Sequence, residues 1–170
     1  LKLCFSEATA PIILDADGIN LLCRNIHILK QTKASVVLTP HPGEMARLTQ
    51  KSIPEIQADR IHTAQEFVVS HGVTVVLKGC GTIIAAKDGT TFLNTTGNPG
   101  MAKGGSGDVL AGMIASLAAQ GYAPTDAAAA AVYLHGYAGD LCAKGMSQMA
   151  MLPSDLIERL PEAFLAAEIS

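Results

Sequence analysis

The stretch Asn94-Thr95-Thr96-Gly97-Asn98-Pro99-Gly100-Met101-Ala102-Lys103-Gly104-Gly105-Ser106-Gly107-Asp108 runs without a break into the apolar segment Val109-Leu110-Ala111-Gly112-Met113-Ile114. A loop this rich in glycine brings backbone N–H groups close to a ligand, because no Cβ holds the ligand off and positive φ costs little. Val109 to Ala119 has the length and apolar face of a helix, which places Gly104 to Asp108 in its first turn. A helix start offers unpaired N–H donors and about half a positive charge, a combination that binds phosphate. A carboxylate there repels the anion, so Asp108 is a candidate to take a proton or position a hydroxyl in phosphoryl chemistry. The alternative is an Asp that caps a helix behind a flexible loop.

The remaining composition narrows the class. A chain of 170 residues is long enough for one domain with a sizeable core and short for two. It is 49% hydrophobic but only 4% aromatic, so Ala, Val, Ile and Leu must fill the interior, which favours α/β layering. A net charge of −3 without a Lys or Arg run argues against a nucleic-acid surface and leaves small molecules as partners. Cys4, Cys23, Cys80 and Cys142 form no CxxC pair, so neither a zinc site nor a disulfide framework is expected and a reducing cytoplasm fits. No apolar run is long enough to span a membrane, and the N-terminus lacks a signal-peptide pattern. Leu1-Lys2-Leu3 begins without Met and leads to a strand almost at once, as expected for part of a longer domain.

In chain order, Pro11 to Leu14 is a strand ending in Asp15-Ala16-Asp17-Gly18, with a helical turn over Ile19 to Cys23. Asp15 and Asp17 read as turn residues. Val36 to Thr39 is a second strand, opening into Pro40-His41-Pro42-Gly43-Glu44 ahead of a helical Met45 to Thr49. Two prolines hold His41 in a rigid turn beyond a strand end. Ser52-Ile53-Pro54-Glu55 has capping-box spacing and predicts one helix to about His71, stopped by Gly72, with His62 and His71 solvated. Val73 to Leu77 is a third strand, which delivers Lys78-Gly79-Cys80-Gly81-Thr82. Those small residues after a lysine suit a phosphate or flat ligand against the backbone, though taken alone a plain Gly-rich turn into the next strand, Thr82 to Ala86, is the stronger reading. Thr82 to Ala86 and Thr91 to Leu93 form a hairpin through Lys87-Asp88-Gly89-Thr90. Pro124-Thr125-Asp126 starts a long Ala-rich core helix carrying Tyr133, His135, Tyr137 and Asp140, with no metal-ligand spacing. The last helix, Ser154 to Ala167, is predicted to break at Pro161.

The order of four motifs, Leu14 to Asn20, Leu38 to Glu44, Lys78 to Thr82 and Gly97 to Leu110, resembles the ADP-dependent NAD(P)H-hydrate dehydratase family. The resemblance spans nearly the whole chain. It implies a ribokinase-like three-layer α/β/α fold with a mainly parallel sheet. Residues 1–170 would form a single domain, the C-terminal portion of the family's, with about a hundred upstream residues absent. It also implies that ADP, or ATP, drives loss of water from hydrated NADH or NADPH (NADHX, NADPHX), giving AMP and phosphate when ADP is used. Asp108 would be catalytic and face the ring hydroxyl. His41 would contact the hydrate, the amides of Gly104 to Gly107 would hold the transferred phosphate, and Lys78, Gly79, Cys80, Gly81, Thr82 and Gly107 would line the nucleotide site. Mg²⁺ accompanies the nucleotide in such a scheme. Glu44 matches the acidic end of the Asn-x-x-Glu motif of the kinase relatives, with His41 in place of Asn. No residue set is predicted to hold a metal by itself. Position 103, more often Thr in the family, is Lys103, placed either near the phosphates or in solvent. The implied protein is a homo-oligomer, alone or joined to an epimerase. The alternatives are a small-molecule kinase of the same fold, such as a hydroxyethylthiazole-type kinase, and a nucleotide-binding module without turnover.

Overall fold

The structure is a computed structural model that describes residues 1–168. Helix α1 (Lys2–Glu7) precedes β1 (Ile12–Leu14) and α2 (Ala16–Cys23), so the chain opens on a helix where an immediate strand was expected. A 3₁₀ turn at Ile26–Lys30 leads to β2 (Val36–Leu38), then α3 (Pro42–Thr49), α4 (Ile53–Ala58), α5 (Arg60–His71) and β3 (Thr74–Leu77). The hairpin β4 (Ile83–Ala85) and β5 (Thr91–Leu93) follows, then α6 (Ser106–Ala119), α7 (Pro124–Gly145) and α8 (Pro153–Glu168).

One sheet orders the strands β1-β2-β3-β4-β5, with β1, β2 and β3 parallel and β4 antiparallel to both its neighbours. Four strands therefore run one way and only β4 opposes them, the mainly parallel sheet expected. The pleat divides the apolar side chains cleanly, because successive residues of a strand face opposite layers. Val36, Leu38, Val75, Leu77, Ile83 and Ala85 join α2 to α5 in one core. Val37, Val76 and Ile84 join α6, α7 and α8 in the other. Strands β2, β3 and β4 are buried from end to end, as a sheet covered on both faces requires.

Local signals account for most boundaries. Ser52 and Glu55 complete a capping box, with Glu55 Oε2 accepting from the Ser52 amide at 2.7 Å. Gly72 closes α5 at φ 69°, and Gly89 turns the hairpin at φ 91°. Two predictions fail. The helix expected from Ser52 to His71 is broken at Asp59, whose φ of −147° lies outside the helix and whose Oδ1 caps α5 by accepting from the His62 amide. Pro161 does not break α8; the helix runs through it, because proline removes a donor without forcing the chain to stop. The two histidines of α5 also have partners: His62 Nε2 lies 3.0 Å from Glu66 Oε1, and His71 stacks on Phe67 with ring centroids 4.2 Å apart. Among the described residues no helix is long and apolar enough to cross a membrane.

Two glycines of α7 let the Gly-rich loop lie against the helix. A Cβ on Gly136 would run into Thr96, and one on Gly139 would run into Met101. Gly136→Ala should therefore destabilise the protein by about 1–3 kcal/mol through overpacking. Gly112→Ala, on α6 with nothing within 4 Å of the new methyl, should be stabilising by up to about 1 kcal/mol through helix propensity. Urea unfolding of the two variants reads the contrast, and equal stabilities would mean that the loop does not pack on α7.

Candidate active site

The ends of β1, β2 and β3 are stitched together just beyond the strands. Thr39 N donates to the Leu14 carbonyl at 3.1 Å, and Lys78 N donates to the Pro40 carbonyl at 2.8 Å. These bonds bring Asp15, His41 and Lys78 to one edge of the sheet, where ligands of parallel α/β folds bind. Lys78 Nζ pairs with Asp15 Oδ1 at 2.7 Å, and both side chains are mostly buried, at 21% and 14% exposure. Asp15 was read as a turn residue from the sequence, and it is instead the counter-charge of Lys78. Its side chain makes no capping bond to α2, and the next residue, Ala16, sits at φ 46°. A non-glycine residue in that region stores about 1–3 kcal/mol of strain, a feature that gathers at functional sites.

Gly107 lies against this pair. A Cβ there would fall 3.3 Å from Lys78 Nζ and 3.6 Å from Asp15 Oδ2. Helix α6 starts at Ser106 rather than at Gly104, with Gly105 as its cap at φ 96°. The amides of Gly104, Gly105, Gly107 and Asp108 donate to no acceptor among the described residues. Four free donors at the positive end of a 14-residue helix, with an ammonium group beside them, form an anion site.

The loop that delivers these amides is tied down upstream of them. Asp140 Oδ2 accepts from the Gly97 amide at 2.8 Å, and its Oδ1 accepts from Asn98 Nδ2 at 3.1 Å. Thr96 Oγ1 donates to the Tyr133 carbonyl at 2.9 Å, and Asn98 Oδ1 accepts from the Gly100 amide at 3.0 Å. Lys103 takes neither of the positions expected of it. Its Nζ donates to the carbonyls of Met149 and Met151 at 2.6 and 2.7 Å, so it ties the loop to the segment ahead of α8. Asp140 carries no local sequence signal, because its role depends on a loop some forty residues upstream.

His41 caps α3, and its orientation is fixed. Nδ1 accepts from the Gly43 amide at 3.0 Å, Nε2 faces Glu44 Oε1 at 3.3 Å, and Glu44 Oε2 accepts from the His41 amide at 2.8 Å. With both nitrogens engaged, the half-exposed ring offers a ligand its face. Glu44 is buried, at 6% side-chain exposure, and both of its oxygens are engaged by His41.

Asp108 is exposed and makes no hydrogen bond among the described residues. It stands at one end of a groove of about 520 Å³ between α6 and α8, lined by Val109, Gly112, Met113, Ile157 and Phe164. The structure thus joins Lys78, Gly107 and Asp15 in direct contact and keeps the Gly79–Thr82 turn next to them through Lys78. Asp108 follows Gly107 in the chain, and no hydrogen bond or ion pair among the described residues joins it to His41. Among the described residues no three His, Cys, Asp or Glu side chains gather as a metal cage.

The sheet lies between two helical layers with an amide-rich helix start at its strand ends, and comparison with solved structures makes this a ribokinase-like fold. The ribokinase of Thermotoga maritima shares this fold at 17% identity, with a TM-score of 0.55 over 94% of this chain and 59% of that one. Within the class, the chain belongs to the NAD(P)H-hydrate dehydratase family, whose model matches residues 3–162. It is 48% identical over 161 residues to a bifunctional NAD(P)H-hydrate repair enzyme of Moorella thermoacetica, covering 95% of this chain and 30% of that protein. It is 38% identical over 157 residues to an ADP-dependent (S)-NAD(P)H-hydrate dehydratase of Bacillus subtilis, covering 92% of this chain and 55% of that one. The B. subtilis ADP/ATP-dependent dehydratase co-crystallised with ATP/Mg²⁺ superposes with a TM-score of 0.85 at 36% identity, over 95% of this chain and 56% of that chain. The chain therefore spans about a third to a little over half of these relatives.

Beneath the anion site, His135 of α7 is buried with its Nε2 unpartnered, and the ring interacts with the Ser106 backbone. Burial pushes its pKa from the ordinary 6.5 down to about 4, and the Ser106 contact offsets part of that. The unfolded ring takes up a proton at higher pH than the folded one. Stability is therefore fully present above pH 6.5 and falls as pH drops towards 4, by about 3 kcal/mol at the low end. Denaturant titrations across this range should show the loss, and His135→Met should flatten it. An unchanged slope in the variant would assign the acid sensitivity to other groups.

Proposed function

We propose that this chain forms the nucleotide-binding and catalytic portion of an enzyme that uses ADP, or ATP, to dehydrate NADHX and NADPHX. The observation that carries the reading is the set of four unpaired amides at Gly104, Gly105, Gly107 and Asp108, beside the Lys78–Asp15 pair. Those donors cradle the terminal phosphate, and Lys78 moves from Asp15 towards it when the nucleotide arrives. Asp108 accepts the proton of the ring hydroxyl as its oxygen attacks the terminal phosphorus and AMP leaves, or ADP when ATP is used. The phosphorylated oxygen is then a good leaving group. The ring nitrogen's electron pair expels it as phosphate, and loss of a proton from the neighbouring ring carbon restores the dihydropyridine. The face of His41 suits a flat ring, since neither of its nitrogens is free to donate.

Mg²⁺ fits this donor set only as a companion of the nucleotide. The carboxylates there are Asp15, already paired with Lys78, and Asp108, and so small a set matches an ion held mainly by phosphate oxygens and water. The proposal extends to a homo-oligomer acting in the cytoplasm, alone or joined to an epimerase.

Two measurements on the full-length protein test this. Adding ADP to NADHX should raise reduced-nicotinamide absorbance with matching phosphate release. A flat trace, with a small alcohol converted instead to a stable phosphate ester, would replace the dehydratase with a kinase. Asp108→Asn should lower kcat by about 10²-fold or more while ADP affinity holds, and retention of more than about a tenth of kcat would remove Asp108 from the mechanism.

The cradle is tested separately. Gly107→Val places a branched side chain against Lys78 Nζ and should weaken ADP binding by about tenfold or more in calorimetry. Unchanged affinity would put the phosphate elsewhere.

A further inference from the structure

Arg60, the first residue of α5, carries a guanidinium that has no carboxylate partner among the described residues. Its Nη1 donates to the Cys80 carbonyl at 2.5 Å, and its Nη2 donates to the carbonyls of Leu77 and Lys78 at 3.0 and 3.3 Å. Nε is buried without a partner. A desolvated cation that lacks a counter-ion is unfavourable unless its donors are well used, and here they gather the carbonyls of a single turn. Gly79, at φ 148°, lets that turn close on the guanidinium, since a Cβ there would lie 2.8 Å from Nη2. Thr82 Oγ1 takes up the Gly79 carbonyl at 3.1 Å.

The consequence appears on the donor side of the same peptides. The Lys78 amide is taken by Pro40, but the amides of Gly79, Cys80 and Gly81 donate to no acceptor among the described residues. Gly79 and Gly81 both take positive φ, 148° and 63°, which glycine adopts at little cost, so the turn leaves its amides unpaired while its carbonyls face Arg60. We propose that Arg60 is the positioning residue of the nucleotide site, holding the Leu77–Cys80 carbonyls on its fork so that the amides of Gly79, Cys80 and Gly81 face the nucleotide. It acts through the turn and touches no reacting atom. Lysine cannot replace it, because a compact ammonium does not span three carbonyls in one plane.

This inference rests on the nucleotide reading above, and the experiment separates the two. Among the described residues Cys4 and Cys80 are exposed, Cys142 is buried and Cys23 half-buried, so in the full-length protein carrying Cys4→Ser the modification is followed at Cys80 itself by peptide mass spectrometry. The rate at which an aromatic disulfide reagent modifies Cys80 reports the order of the turn, and calorimetry with ADP reports binding. Arg60→Lys and Arg60→Gln should each speed modification and weaken ADP affinity by about tenfold or more, the loss expected for charge-assisted bonds. At saturating nucleotide kcat should stay within about twofold, so that the defect lies in KM. Millimolar guanidinium should restore both properties to Arg60→Gln, which a general loss of folding would not allow. If one variant fails to fold, the other carries the test. Variants that fold and bind ADP like the wild type overturn the proposal, whatever the thiol rate. Wild-type protein that binds no ADP overturns the nucleotide reading itself, and the proposal with it.

Discussion

Asp140 is the residue on which the site depends. Its two oxygens accept from the Gly97 amide and the Asn98 side chain, so a single carboxylate fixes the start of a long glycine-rich loop. Without such an anchor, ordering glycine residues is entropically unfavourable, because glycine loses more backbone freedom on folding than any other residue. Close approach is possible because the facing side of α7 presents Gly136 and Gly139. Once the loop is docked there and Lys103 has closed on Met149 and Met151, the chain reaches α6 with its last amides unpaired. The unpaired donors at the start of α6 thus follow a loop whose upstream part is anchored by Thr96, Gly97, Asn98 and Lys103.

Charge is balanced around those donors by a division of labour. Asp15 neutralises Lys78 and keeps the amine beside Gly107, while Asp108 stands next in the chain with no partner among the described residues. One carboxylate holds a cation in place, and the other is engaged by no side chain or amide among the described residues. Arg60 adds a second positive group that is engaged entirely by carbonyls. The two basic residues are therefore held differently: Lys78 is a point charge paired with one carboxylate, and Arg60 is a planar fork that gathers backbone carbonyls.

Much of the frame could be read from the chain. The buried strands, the Asp88-Gly89 hairpin, the capping box at Ser52 and the glycine-rich start of α6 are local, set by alternation, turn chemistry and side chains three residues apart. What could not be read was long-range pairing. Asp15 and Lys78 lie far apart in sequence and meet only because β1, β2 and β3 lie side by side. Asp140, Arg60 and Lys103 likewise take partners on distant segments, and each looked ordinary on its own helix or loop. The break at Asp59 escaped because the pattern on either side is helical, and the structure resolves it through a capping bond at one residue.

The sequence by itself therefore determined the alternation of strands and helices and the positions along the chain where chemistry is possible. Periodicity and glycine placement act over a few residues, and no partner is needed to recognise them. Only the tertiary structure decided which polar groups are consumed and which remain free. The Gly104, Gly105, Gly107 and Asp108 amides are donors because the fold supplies them with no acceptor, and Lys103 is structural because the fold supplies it with two. Whether a buried polar group is satisfied is a property of the whole packed molecule, since its partner can come from any part of the chain.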